Sequence, residues 1–211
     1  MTPELTQCLA QLDQADRQER LLALGRLTEL ADPAAGSELL RRLELELQDN
    51  QDWVFLHALI GALGTLAHRP ALAVLRQMAN SGSPRPELEE ALGMSMVQLA
   101  HDPASAAQEV LRLLESGRQA LGQGALQAMA CMQLKPDQDT QEALVSFALG
   151  LDLAQDAWSV IWILRAAPGW GSVARERLLE RFLKPEYEQL RQVHQAASLA
   201  ANAEYRTWKR F

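Results

Sequence analysis

The chain has 211 residues, of which 48% are hydrophobic and only 5% are aromatic, and its formal net charge is −7. This length allows one extended domain or two small ones, and the apolar content is sufficient for a sizeable core. Leu and Ala dominate the apolar residues and favour helices, and no stretch alternates apolar and polar residues over the length of a strand. The composition therefore disfavours a β-sheet fold, and the acidic balance disfavours a nucleic-acid groove, which needs a positive field.

Apolar residues recur at spacings of three and four along most of the chain, which predicts helices separated by short turns. About twelve helices are expected. In chain order, the predicted helices cover residues 3–12, 16–31, 33–49, 51–67, 70–80, 85–101, 104–116, 118–134, 137–149, 155–166, 169–183 and 186–202.

Five prolines recur at intervals of 37, 33, 33 and 32 residues, and each separates two predicted helices. They are Pro33, Pro70, Pro103, Pro136 and Pro168. Proline lacks an N–H group, so it fits the first turn of a helix, and it pushes the preceding residue out of helical geometry. The prolines therefore predict a repeating helix pair of about 33 residues.

The residues before the last four prolines share one apolar register. Positions 15, 11, 7 and 4 before each proline are apolar in all four units, and their spacing places them on one helix stripe. The sixteen residues are Phe55, Leu59, Leu63, Leu66, Leu88, Leu92, Met96, Leu99, Leu121, Ala125, Met129, Met132, Leu153, Ala157, Ile161 and Leu164. We predict that they form a shared core.

This pattern of two helices, a turn and a nearby proline or aspartate resembles the HEAT-like repeat family over about residues 16–183. The resemblance implies an all-α fold, an α-solenoid of antiparallel helix pairs whose neighbours bury a continuous core. It implies a single domain over residues 1–211, with a C-terminal capping helix and tail in residues 184–211.

Five glycines interrupt the first helices of the repeat, where an interior glycine costs about 1 kcal/mol relative to alanine. They are Gly61, Gly64, Gly93, Gly122 and Gly124. We expect close approach of neighbouring helices to offset that cost.

The histidines and carboxylates form no recognisable catalytic, cofactor-binding or metal-binding motif. His68 and His101 occupy the same position in successive repeats without a cysteine partner, which is typical of histidines at helix ends. The many carboxylates lie in polar runs near helix starts, where they favour the helix dipole. We therefore expect no enzyme activity, no cofactor and no metal.

The tryptophans support two interpretations. Trp158 and Trp162 lie on one helix face, at positions where earlier repeats have smaller residues, and Trp170 follows. They either supply bulk that caps the core of the last full repeat or form an aromatic contact patch, since tryptophan is enriched in interface hot spots.

In HEAT-like proteins the second helices usually line a concave binding surface. The resemblance therefore implies partner contacts from polar residues of those helices, in addition to the tryptophans. The candidates are Trp158, Trp162, Trp170, Arg41, Glu44, Gln77, Gln108 and Arg112.

A non-enzymatic protein-binding solenoid is the expected function. The small size and acidity favour a bacterial immunity protein that neutralises a cognate toxin, with a basic toxin or effector domain as partner. Two alternatives remain open: an adaptor, assembly scaffold or structural homo-oligomer, and an enzyme. Some HEAT-like proteins are lyases, and others are DNA glycosylases that use an arginine and tryptophans. Trp158, Trp162 and Arg165 resemble that set of residues. The acidic balance counts against the glycosylase.

The chain is expected to be cytoplasmic and to bind neither membrane nor nucleic acid. Residues 1–4 have neither the basic start nor the apolar core of a signal peptide, and no apolar run approaches the roughly 20 residues of a membrane span. Cys8 and Cys131 belong to no CxxC motif and fit reduced thiols in a reducing compartment.

Overall fold

The computed structural model describes residues 2–14, 16–49, 52–82, 85–184 and 191–202. These residues form twelve α-helices and no strand, which confirms the predicted all-α class. The helices are α1 (Pro3–Gln11), α2 (Arg17–Leu30), α3 (Ala34–Asp49), α4 (Trp53–Thr65), α5 (Ala71–Ser81), α6 (Pro86–Gln98), α7 (Pro103–Glu115), α8 (Gln119–Cys131), α9 (Gln138–Gly150), α10 (Leu153–Ala166), α11 (Ser172–Phe182) and α12 (Arg191–Asn202).

The helices form two layers. The even layer comprises α2, α4, α6, α8, α10 and α12, and each of these helices packs against the next in the series. The odd layer comprises α1, α3, α5, α7, α9 and α11, and each of its helices packs against a neighbour in the even layer. This stacking of helix pairs is solenoid-like, as the repeat predicts.

The predicted apolar stripe forms the core between the layers. Twelve of its sixteen residues are buried. The other four are half-buried: Leu66, Met132, Leu153 and Ala157. The spacing of four, four and three residues therefore identified the buried face of the even helices.

The prolines mark the even-to-odd connections with small differences from prediction. Three lie within one residue of a helix start: Pro33, Pro70 and Pro103. Pro136 lies outside α9 because Asp137 caps that helix, its side chain accepting a hydrogen bond of 2.8 Å from the amide of Thr140. Pro168 lies in a short 3-10 turn, Ala167–Gly169, between α10 and α11.

The close approach predicted from the glycines is confirmed between α6 and α8. A Cβ atom on Gly93 would overlap the carbonyl oxygen of Leu121, and a Cβ atom on Gly124 would overlap the carbonyl oxygen of Glu90. The two backbones therefore touch at two points where only glycine fits.

The other three glycines behave differently from one another. A Cβ atom on Gly64 would overlap the side chain of Ser95 on α6, and one on Gly122 would lie 3.0 Å from Leu114 Cδ2. Nothing lies within 4 Å of a Cβ atom on Gly61, so the prediction was wrong there.

The even layer is packed more closely than the odd layer, in which α3, α5 and α7 make little contact with one another. Even helices therefore contact one another along the stack, whereas odd helices mainly contact the even layer.

The last predicted helix, residues 186–202, is described from Arg191 onwards as α12. Its predicted start and the aromatic and basic tail of residues 204–211 lie outside the described residues.

A candidate protein-binding surface

The middle of the even layer exposes few charges. Helices α4 and α8 contain no Asp, Glu, Lys or Arg. The exposed residues of α4, α6, α8 and α10, which we call the even-layer face, are Trp53, His57, Thr65, Pro86, Glu87, Glu90, Gln119, Ala154, Gln155, Trp158 and Arg165. Depletion of charge combined with aromatic residues is typical of the centre of protein interfaces.

The odd layer exposes many more charges. The exposed charged residues of α5, α7, α9 and α11 are Arg76, Arg112, Glu115, Asp139, Glu142, Glu176, Arg177, Glu180 and Arg181. Such a mixed, charged surface is typical of a solvated face.

Large hydrophobic side chains are also exposed mainly on the even layer. Among the described residues six are exposed, and four of these belong to even helices. Those four are Leu22 (56% exposed), Trp53 (36%), Trp158 (51%) and Leu199 (60%). Burying such side chains against a partner would gain roughly 25 cal/mol per Å² of apolar surface.

Trp158 departs from its repeat. The matching residues in earlier repeats, Ile60, Gly93 and Leu126, are all buried. About half of the surface of Trp158 is exposed to solvent. Filling the core therefore does not by itself account for a residue of this size at this position. This exposure favours the contact-patch interpretation for this one tryptophan.

Two other tryptophans stack with arginines. The guanidinium carbon of Arg165 lies 4.6 Å from the ring centre of Trp162, and that of Arg85 lies 4.8 Å from the ring centre of Trp53. Trp162 is half-buried against the core. Stacking of this kind stabilises an aromatic side chain in one orientation, which reduces the entropy lost on binding.

Trp170 belongs to the core. It is 6% exposed, and its indole N–H donates a hydrogen bond of 3.3 Å to the carbonyl of Leu134. The adjacent amide of Gly171 donates to the side-chain oxygen of Gln141 at 2.9 Å. These contacts support the core-capping interpretation for Trp170, which offers no surface to a partner here.

The five polar candidates from the second helices all lie exposed on the odd layer. Arg41 pairs with Glu38, and Arg112 pairs with Glu109 at 2.7 Å. The other three are Glu44, Gln77 and Gln108. The structure therefore separates the predicted contact residues, with Trp158 and Trp162 on the even layer and these five on the odd layer.

Glu109 is the buried acid of the odd layer. Its side chain pairs with Arg112 and with Arg76, which donates at 3.0 Å from α5. Burial raises the pKa of Glu109, but the hydrogen bonds and charges of Arg112 and Arg76 outweigh it, and the pKa is lowered. This ion cluster joins α5 to α7 where the helices have little other contact.

A second ion cluster, which the sequence did not reveal, joins the first repeats. Asp52 caps α4 by accepting from the amide of Phe55 and pairs with Arg17 at 2.9 Å and Arg20 at 2.8 Å. Arg20 also pairs with Glu46 at 2.8 Å and lies over the Phe55 ring. Burial raises the pKa of Asp52, but these partners lower it overall. No local signal predicts contacts between residues so distant in sequence.

A cleft of about 270 Å³ lies where the turns preceding α8 and α10 meet. Asp156, which lines it, has non-helical backbone angles inside α10. Its Oδ1 atom accepts hydrogen bonds from Ser159 Oγ at 2.7 Å and from Gln123 Nε2 at 3.0 Å. The repeat pattern gave no indication of this cleft, because it depends on the local kink.

The two histidines singled out in sequence lie in different environments. His68 is half-buried against Gly36, and burial lowers its pKa. His101 is exposed, 3.7 Å from Asp102. Within the described residues, no three His, Cys, Asp or Glu side chains converge as metal ligands would.

Among the helices described, none has both the length and the apolar character required to cross a membrane. No family model and no curated protein sequence matches the chain. The resemblance to HEAT-like repeats therefore stays a prediction from the repeat pattern.

Proposed function

We propose that the chain is a protein-binding solenoid and that its even-layer face contacts the partner. The observation that carries the proposal is Trp158, half-exposed at a position that every earlier repeat buries. The low charge of α4, α6, α8 and α10 supports it, since charged residues are depleted at interface centres. Trp53 and Trp162, each stacked with an arginine, supply further anchors on the same layer.

The finer proposal is inhibition of a basic toxin or effector domain in a bacterial cytoplasm. The net charge of −7 favours a basic partner, because complementary charge speeds the encounter of two proteins. The net negative charge would steer the partner, and the exposed aromatic residues of the even-layer face would hold it. A stoichiometric loss of the partner's toxic activity on addition of the chain would support this role.

The test begins with affinity capture from native lysate and continues with calorimetry on the purified partner. Trp158→Glu and Trp53→Glu each place a charge on the even-layer face. Gln77→Glu and Gln108→Glu are matched controls, since they add the same charge to exposed odd-layer positions. Circular dichroism and thermal unfolding establish that all four variants fold.

We expect Trp158→Glu to weaken a one-to-one complex by about 30-fold, the effect of losing a hot-spot residue. Both glutamine variants should bind like the unmodified chain. A loss confined to the glutamine variants would assign binding to the odd layer and contradict the proposal.

Two further measurements address the alternatives. Fluorescence anisotropy at low salt with duplex DNA would favour a glycosylase if it showed clear affinity. Light scattering that showed stable dimers, lost in Trp158→Glu, would favour the structural homo-oligomer, with a second copy as the occupant of the same surface.

A further inference from the structure

We infer that the cleft between the turns preceding α8 and α10 receives a lysine or arginine side chain of the protein partner. The inference rests on the proposed function, because it supplies the chemistry of one partner contact. It adds a specific pocket at the edge of the even-layer face, with which it shares Gln119 and Gln155.

The walls of the cleft suit the aliphatic part of a basic side chain. Leu114, Phe147 and Leu151 line it, and each is half-buried, so part of its apolar surface faces the cleft. Lysine and arginine stems bury against apolar surface while their charged ends reach a polar group. The volume of about 270 Å³ lies just below the range of pockets for whole small-molecule ligands, roughly 300–1,000 Å³.

The charges of the cleft suit a cation. Asp152 and Asp156 line it, and the positive charge of Arg118 is already neutralised by its ion pair with Glu89. Arg118 also donates to the carbonyl of Ala79, which holds it toward α5 and α6. The uncompensated charge in the cleft is therefore negative.

The kink in α10 gives Asp156 a defined position. Its Oδ1 atom accepts from Ser159 and Gln123, which orients the carboxylate. The first turn of α10 is further fixed because Gln119 Nε2 donates to the carbonyl of Gln155 at 3.2 Å. A carboxylate held in this way loses less conformational freedom on binding a cation than a freely rotating one does.

The cleft is tested without the partner, by titrating the isotope-labelled full chain with N-acetyl-lysine N-methylamide in two-dimensional amide NMR. The norleucine analogue has the same stem without the charge and is the control probe. We expect saturable shifts at Gly117, Gly122 and Ser159 with the lysine probe, at an affinity on the order of millimolar. The norleucine probe should bind several-fold more weakly.

Asp156→Asn should weaken lysine binding about tenfold, since one charge-assisted hydrogen bond is lost. Asp139→Asn, at an exposed aspartate of α9, should leave it unchanged. Gln155→Lys places a competing cation at the cleft and should abolish the shifts. This second variant keeps Asp156, so its result does not depend on whether Asp156→Asn disturbs the α10 kink.

Equal binding of both probes, unchanged binding in Asp156→Asn with a native spectrum, or no saturable shift at the cleft would each overturn the inference. These results would not contradict the proposal that the even-layer face contacts the partner, because that proposal is tested with a whole partner. Conversely, failure of the Trp158 test would not alter the response of the cleft to a lysine probe.

Discussion

The even and odd layers derive from one repeat of about 33 residues, yet they differ in packing and in surface charge. Even helices approach until their backbones touch, as at Gly93 and Gly124, and expose little charge between α4 and α10. Odd helices stand further apart and are joined in part by ion pairs, as between Arg76 and Glu109.

This difference follows from where each layer places its small and charged residues. Glycine lets the even helices pack through backbone contacts, so each exposes only a narrow strip. The odd helices contact one main layer and leave a broader side to solvent, which charged residues cover. A surface that is narrow, carries few charges and exposes aromatic residues suits a partner better than a broad charged surface does.

The largest expected effect comes from breaking the close packing of the even layer. Gly93→Ala should destabilise the fold by about 3 kcal/mol or more, because the new methyl group would overlap a main-chain carbonyl that cannot move away. Gly61→Ala is the matched control and should be neutral or stabilise by up to about 1 kcal/mol, since nothing lies near its Cβ position. Urea unfolding measures both. Equal midpoints for the two variants would show that the helices do not touch at Gly93.

The next largest effect is the stability lost when a helix cap is removed, compared between one cap in each layer. Asp52→Ala should cost about 2–3 kcal/mol, because it removes the cap of α4 and leaves the largely buried Arg20 without one of its two acidic partners. Asp102→Ala removes only the exposed cap of α7 and should cost less. Thermal unfolding ranks the two variants, and a larger loss for Asp102→Ala would contradict the assigned role of the Arg20 cluster.

A smaller effect concerns pH and the odd layer. The folded pKa of Glu109 lies below that of the unfolded chain, about 4.3, so its stabilisation is complete above that pH and is lost as pH falls through the folded pKa. Glu109→Gln should therefore cost about 1–2 kcal/mol at pH 7, and this cost should shrink as the pH falls below about 4.3 and disappear below the folded pKa. Free energies of unfolding measured across this range test it. A cost that stayed constant with pH would show that the charge of Glu109 is not responsible.

The smallest effect concerns the turns. Odd-to-even turns have glycine at positive φ, at Gly82 and Gly117, whereas even-to-odd turns place Ala31, Ala67 and Gln133 in that region. Ala67→Gly should stabilise the chain by about 0.5 kcal/mol, because glycine adopts positive φ without steric cost. Ala67→Gly should raise the midpoint of thermal unfolding. The control, Ala73→Gly at an exposed position inside α5, should lower it. A lower midpoint for Ala67→Gly would contradict the claim that Ala67 is strained at its positive φ.

Much of the fold follows from local patterns in the sequence. The apolar spacing identified twelve helices and the buried stripe because these depend on residues within one turn or two of each other. The predicted start of α9 was residue 137, but the helix begins at Gln138 because Asp137 is its N-cap.

The candidate site was harder to predict because it depends on long-range packing. Trp158 and Trp170 have the same residue type and close sequence positions, yet one is exposed and the other is buried. The difference arises because the indole of Trp170 meets the carbonyl of Leu134, 36 residues earlier. The cleft beside Asp156 depends likewise on a kink and on helices from two repeats.

The central claim is that the even layer, rather than the odd layer, contacts the partner. Hydroxyl-radical footprinting of the chain, alone and in complex with its captured partner, tests this directly at individual side chains. The account predicts protection of Trp53, Trp158 and the half-buried Met94, with Arg41 and Gln77 unchanged. Protection of Arg41 and Gln77, with Trp158 still reactive, would contradict it.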